Sequence, residues 1–400
     1  MRTSRFLAFA VVGSILLASS CEPKKQPATE EKKPTTEPAK PAAAETIKVG
    51  AIFSVTGPAA FLGAPEARTV EMLAEELNAA GGVGGRKIEL YIKDSGGTTE
   101  KAVSFAKQLI DEEKVLAILG PSRSGETLGI KSICEERKTI LLSCAAAEAI
   151  VEPIAAYVFK TPQKDSDAVK RIYETLKERN LTKIGVLGSS TSFGSEGRKQ
   201  LEKYAKDYGI EILIAETYDG AATDLTGVVT KVKGANVQAV VNWSIEPAQS
   251  IVAKNMKQIG LDVPLFQSHG FGNIKYVETA GEAAEGIIFP CGRLLVAEAL
   301  PADHPQKAVL MQYKTDYETK YKEAASTFGG HAYDALMILV EAIKKVGTDP
   351  EKVRDAIENT KGFVGTGGVF NLSPTDHNGL DKNAFEMLTV KGGKFDIYKP

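Results

Sequence analysis

The sequence predicts an α/β fold of two doubly wound, Rossmann-like lobes joined by a hinge. Three observations carry this expectation. From residue 47 onward, short apolar runs alternate with stretches of helical periodicity, the pattern of a mainly parallel sheet with crossover helices. The alternation restarts after Thr161-Pro162-Gln163. The 400 residues are 43% apolar and 25% charged, which suits a globular chain of two domains.

Residues 1–21 stand apart from the fold. Arg2 and Arg5 precede an apolar run over 6–17 that is too short for a membrane span. Leu17-Ala18-Ser19-Ser20-Cys21 resembles a bacterial lipobox, in which Cys21 becomes the acylated first residue. Ordinary signal cleavage nearby is the alternative. Residues 22–46 are Lys, Glu, Pro, Thr and Ala without periodicity, and so predict a solvated tether.

The first lobe is expected to open with a strand over 47–54 and a helix over 66–79. A strand over 87–94 and a helix over 100–111 follow. Strands over 115–120 and 139–144 flank a helix that begins near Ser124. The second lobe reads as a helix over 166–179, a strand over 183–189 and a helix over 195–208. Strands over 211–217, 237–243 and 263–268 alternate with helices over 225–233 and 246–259. Helices over 307–321, 332–346 and 350–359 come next, then a glycine turn over 365–368 and a strand pair across Gly392-Gly393. The expected first lobe comprises 47–161 with about 293–380. The second comprises 162–292 with about 381–400.

The stretch AILGPSRSGETLGIKS (117–132) organises the chain. An apolar strand end stops at Gly120-Pro121, a small polar loop follows, and a helix starts. Unpaired N–H groups and the positive dipole end at such a start attract an anion, and the Ser122 and Ser124 hydroxyls add donors. A serine N-cap without a ligand is the alternative.

Several chemistries find no support. The formal charge of -2 comes without a basic patch, which argues against nucleic acid. No Walker, dinucleotide or nucleophile-elbow motif is complete. His269, His304, His331 and His377 lack metal spacing. No enzyme activity, cofactor or metal is expected. Besides Cys21, three cysteines remain (Cys134, Cys144, Cys291), an odd number, and no structural disulfide is expected.

The folded part resembles type I periplasmic substrate-binding proteins of ABC transporters, in the Leu/Ile/Val-binding branch. The resemblance rests on IKVGAIFSVTGPAAFLG (47–63), LNAAGGVGGRKIELYIKD (77–94), ILGPSRSGET (118–127), IGLDVPLFQSHGFGN (259–273) and AGEAAEGI (280–287). STFGGHAYDAL (326–336) and TKGFVGTGGVFNLSPTDHNGL (360–380) resemble a subgroup associated with aromatic acids. The resemblance implies that the lobes close around a small ligand, with Ser124 and nearby N–H groups such as that of Ala145 holding its carboxylate. Where the family places a Thr and an acidic residue toward an ammonium, this chain has Ala147 and His269. Phe193 and Phe328 match pocket aromatics, Trp243 and Ile245 end a second-lobe strand at the cleft, and Leu62 closes it from the first lobe. Core packing is the alternative for each aromatic.

These residues imply an apolar slot with one anionic end, suited to an aromatic carboxylate. The expected protein is exported and lipid-anchored. It would deliver a small hydrophobic carboxylate to ABC permease and ATPase subunits by hinge closure. A true branched-chain amino acid binder is the alternative within this class. A ligand sensor with the same fold is the alternative of another class.

Overall fold

The computed structural model describes residues 46–400 together with Ser14 and Leu16. Cys21, with the leader and tether around it, lies outside the described residues apart from Ser14, Leu16 and Thr46.

The first sheet collects β1 (Ile47–Phe53), β2 (Ile88–Asp94), β3 (Ala117–Leu119), β4 (Ile140–Ser143) and β5 (Val158–Lys160). They pair in the order β2-β1-β3-β4-β5, all parallel. Helices α1 (Ala60–Ala79), α2 (Thr99–Asp111) and α3 (Ser124–Glu136) make the crossovers. On α2, Ala102, Ala106 and Leu109 recur at helical spacing and are the buried residues, so the stripe faces the sheet. Strand order reverses between β1 and β3. The carboxyl ends there are where such sheets open a crevice.

After Thr161 the chain enters the second layer through α4 (Asp165–Glu178). There follow β6 (Lys183–Ser189), α5 (Ser192–Ala205), β7 (Glu211–Tyr218), α6 (Thr226–Gly234), β8 (Ala239–Trp243), α7 (Ala248–Gln258), β9 (Leu265–Gln267), α8 (Ile274–Ala280) and β10 (Ile288–Cys291). Then come α9 (Lys307–Tyr321), α10 (Thr327–Val346), α11 (Pro350–Glu358) and the short hairpin β11 (Phe363–Val364) and β12 (Val369–Phe370). Finally β13 (Glu386–Lys391) and β14 (Lys394–Ile397) return to the second sheet. Its order is β14-β13-β10-β9-β8-β6-β7, with β13 antiparallel to both of its neighbours, β10 and β14. Although late in the chain, α10 belongs to the first sheet's core. Ala332, Leu336, Leu339 and Ile343 pack with Val49, Ala51 and Phe53 of β1.

Helices α1 and α10 begin well before their periodicity predicts, and α5 begins slightly before, at Ser192. α1 starts at Ala60 and carries Pro65 inside it. Proline has no N–H to donate, which leaves the Phe61 carbonyl without its helical partner. That carbonyl instead accepts from Asn273 Nδ2 at 3.4 Å, just ahead of α8 on the second sheet's side. α10 starts at Thr327 because Ser326 caps it, accepting from the Gly329 N–H at 3.5 Å. Gly329 is required there: a Cβ would stand 2.3 Å from the Tyr313 hydroxyl. Strands β5 and β10 and helix α8 were not anticipated, since each is too short to show a period of its own.

The chain passes between the two sheets three times, and side chains clamp the passages together. Asn378 Nδ2 donates to Lys160 O at 3.2 Å and Pro162 O at 2.7 Å. Gln163 Nε2 donates to Gly367 O at 2.7 Å, and Lys164 pairs with Asp376 at 2.9 Å. Asp334 accepts from the Thr366 and Gly367 N–H groups at 2.6 and 2.7 Å, which pins the glycine turn. Cys134, Cys144 and Cys291 are free and buried. Among the described residues no helix is long and apolar enough to cross a membrane, and no cluster of His, Cys, Asp or Glu could hold a metal.

Candidate functional site

The carboxyl ends of β1, β3 and β4 face those of β8 and β9 across a small, nearly closed cavity of about 30 Å³. Loops after these strands supply the polar wall. The starts of α5 and α10 supply Phe193 and Phe328, and α1 supplies Leu62.

On the first sheet's side, α3 starts at Ser124, so the opening N–H groups of that helix lie at the cavity. Ser124 Oγ accepts from the Ala147 N–H at 3.3 Å, which leaves its own proton to donate. Ser122 Oγ accepts from the Ser54 N–H at 3.0 Å and shares a hydrogen bond with the buried carboxyl of Glu66 on α1. Arg123, between the two serines, turns away from the cavity. Its guanidinium bonds Glu246 at 2.6 Å on the second sheet's side and Gly97 O at 3.2 Å.

The opposite wall is aromatic and uncharged. The His269 ring lies against Phe193, Trp243 and Phe385, with centroids 5.5, 5.7 and 5.5 Å away. Burial holds its pKa well below the usual imidazole value, helped by the nearby Lys160 and His331, so the ring is neutral. Neither ring nitrogen has a hydrogen-bond partner. Behind it stands Asp165, with Oδ1 3.5 Å from His269 Nε2. Both Asp165 oxygens are buried and unpartnered, and burial raises this carboxyl well above the usual range against the pull of Lys160. Lys160 donates to Ala146 O and, at 3.2 Å, to Gln163 O, and burial lowers it to about 8. His331, one helical turn after Phe328, lines the cavity too and is lowered to about 3 by burial.

Of the residues singled out from sequence, Leu62, Ser122, Ser124, Ala145, Phe193, Ile245, His269 and Phe328 line this one cavity. Two do not. Ala147 is fully buried behind the wall, and its N–H is taken by Ser124 rather than left for a ligand. Trp243 is fully buried behind Phe193, 6.0 Å between centroids. It sits there because Gly197 of α5 lacks a side chain; a Cβ would lie 2.1 Å from the indole. Sequence reasoning missed His331, Lys160, Asp165 and Glu66. His331 alone had a signal, its spacing of three from Phe328 on one helical face.

The two sheets' sides also touch outside the cavity. Phe61 stacks edge-on against Tyr276 with centroids 5.1 Å apart, and Thr327 Oγ1 donates to Gly272 O at 3.2 Å. With Arg123–Glu246 and Asn273–Phe61, these contacts hold the cleft shut.

The family described as periplasmic binding protein matches residues 46–394. The leucine-, isoleucine-, valine-, threonine-, and alanine-binding protein of Pseudomonas aeruginosa is 28% identical over 363 residues, covering 89% of this chain and 90% of that protein. Among solved structures, an extracellular ligand-binding receptor from Rhodopseudomonas palustris HaA2 superposes with a TM-score of 0.83 at 28% identity, covering 88% of this chain and 99% of its own. The branched-chain amino acid transporter substrate binding protein LivJ from Streptococcus pneumoniae, in complex with isoleucine, gives a TM-score of 0.77 at 27% identity. That match covers 89% of this chain and 100% of the other.

Proposed function

The chain belongs to the periplasmic binding protein family, and on that premise we propose that it is the extracytoplasmic solute-binding component of an ABC transporter of the branched-chain amino acid type. Its ligand in this reading is a small hydrophobic carboxylate, an aromatic acid without an α-ammonium. The carboxylate sits against Ser124 and the start of α3. The apolar body lies among Leu62, Phe193, Ile245 and Phe328. Closure of the two lobes over the ligand does the work, without chemistry on it. The partners are the transporter's permease and ATPase subunits, and the membrane is reached through a lipid on Cys21.

One observation carries the choice of ligand. The wall facing the anionic end offers a neutral His269, and Ala147, buried behind the cavity beside Ser124, has no hydroxyl where the resembling proteins place one. An ammonium there has no charged group in direct reach, and an uncompensated buried charge costs several kcal/mol. A second observation favours the branched-chain amino acid alternative: Asp165 is a buried carboxyl without a partner, only 3.5 Å beyond His269 Nε2. An ammonium that displaced the imidazole would meet it.

Calorimetry at pH 7 with 3-phenylpropanoate and phenylalanine separates the two, since the pair differs only in the ammonium. Tighter binding of phenylpropanoate supports the aromatic-acid reading. Phenylalanine binding tenfold or more tightly, about 1.4 kcal/mol, overturns it in favour of the amino acid. For the anchor, Cys21→Ala releases the protein from the membrane fraction; a variant that stays as membrane-bound as wild type refutes lipidation.

A further inference from the structure

Beneath the anionic end lies a buried chain of hydroxyls and carboxyls that the binding reading leaves unused. Ser122 lines the cavity, and its Oγ meets Glu66 Oε2 in a short hydrogen bond. The same Oγ accepts from the Ser54 N–H at 3.0 Å. Ser54 Oγ in turn donates to Glu126 Oε2 at 2.9 Å. Glu66 is fully buried on α1, and its other oxygen, Oε1, has no donor at all.

A serine hydroxyl has one proton and two lone pairs. With Glu66 ionised, the Ser122 proton goes to Glu66, and Ser122 turns only a lone pair toward the cavity. With Glu66 protonated, the carboxyl donates to Ser122 Oγ. Both lone pairs are then occupied, by Glu66 and by the Ser54 N–H, and the Ser122 proton is free to point at a ligand. We propose that Glu66 is a positioning residue for the carboxylate site: carrying a proton, it aims the Ser122 hydroxyl at a bound carboxylate, and losing that proton, it withdraws the donor. This rests on the carboxylate site proposed above and adds its regulation by proton occupancy.

The surroundings favour the protonated form. The orphaned Oε1 makes the ionised carboxylate costly, since a buried acceptor without a donor forfeits its desolvation energy. Burial raises the Glu66 pKa well above the ordinary carboxylate range, against the Ser122 hydrogen bond, and Glu126 on α3 adds repulsion. Glu126 is itself raised by burial. Cys144, after β4, interacts with Glu66 and is held as a neutral thiol. Arg123 is the nearby cation, and its guanidinium is committed to Glu246. Nothing in this shell is placed to hold Glu66 ionised beside a second carboxylate.

The test measures affinity by calorimetry from pH 6 to pH 10, with 3-phenylpropanoate and with leucine as probes, on the wild-type chain and on Glu66→Gln. The glutamine amide donates to Ser122 permanently and so stands in for the protonated acid. In the wild type, affinity is flat at low pH and falls about tenfold per pH unit above the Glu66 midpoint, one proton being taken up per ligand bound. Glu66→Gln keeps the low-pH affinity across that same interval. Should Glu66→Gln fail to fold, proton uptake by the wild type in buffers of different ionisation heat carries the test. Parallel profiles in the two proteins, a flat wild-type profile, or no proton uptake overturns the proposal while leaving the carboxylate site standing. If neither probe binds at any pH, the carboxylate-site reading falls and this proposal falls with it.

Discussion

The ion pair between Arg123 and Glu246 joins the two sides of the cleft, and removing it should loosen the closed state in an asymmetric way. The pair is short, at 2.6 Å, and its members differ in burial, with side-chain exposures of 21% for Arg123 and 7% for Glu246. At an effective dielectric of about 20 the attraction is roughly 4 kcal/mol at 4 Å, and desolvation of both groups on closure offsets much of it. After Glu246→Ala, Arg123 still reaches water and the Gly97 carbonyl, so closure loses only about 1–2 kcal/mol, a five- to thirtyfold drop in affinity. After Arg123→Ala, a nearly buried carboxylate has no side-chain donor left. The loss rises to about 2–4 kcal/mol. It should also depend on pH. Burial already raises the Glu246 pKa, with Arg123 pulling it back down, so without Arg123 the closed form prefers a protonated Glu246. The deficit of Arg123→Ala therefore shrinks as pH falls through that raised value and grows above it. Calorimetry on both single variants and the double variant gives the coupling energy, and stopped-flow release places the effect in the off-rate. A coupling energy within about 0.5 kcal/mol of zero, or equal losses for the two single variants, refutes the reasoning.

Three further outcomes follow from the geometry. Ser124→Ala removes a donor to the ligand carboxylate worth about 1.5–3 kcal/mol and orphans the buried Ala147 N–H, so affinity falls at least tenfold and urea stability drops by about 1–3 kcal/mol; unchanged affinity in a folded variant moves the anion site elsewhere. Gly197→Ala drives a methyl into the Trp243 indole, which displaces Phe193 from the cavity wall and lowers both stability, by about 1–3 kcal/mol, and affinity; a melting temperature equal to wild type would show that the indole is not packed there. Asp334→Ala frees two N–H groups of the glycine turn at the crossing between sheets and should lower stability by about 2–4 kcal/mol in urea titration, most of it from the two buried donors left without an acceptor.

Contacts at the crossings and at the cleft bear differently on binding. Asn378, Gln163 and Asp334 tie the crossing segments to one another. Arg123, Phe61 and Asn273 instead bridge the cleft away from the crossings. Substitutions in the first set should alter stability before affinity, and those in the second affinity before stability.

Much of this protein was legible in its sequence, because local order has local causes. The strand Lys183–Ser189 and the helix Lys307–Tyr321 coincide with their apolar patterns. The serine pair after Gly120-Pro121 could be placed at a strand end and helix start from five residues alone. Tertiary structure decided the rest. Trp243, the only Trp, looked like a pocket wall, and Gly197 on another element turned it into core. The helix expected from residue 66 instead begins at Ala60 and runs through Pro65, and the carbonyl that the proline frees accepts from Asn273, far along the chain. Glu66, Asp165, Lys160 and His331 read as ordinary polar residues in the sequence. Their meaning comes from burial, and burial depends on what distant segments bring: Glu66 meets Ser122 across 56 residues of chain. A charge acquires a shifted proton affinity only where folding removes its water, and no local pattern of residues records where that happens.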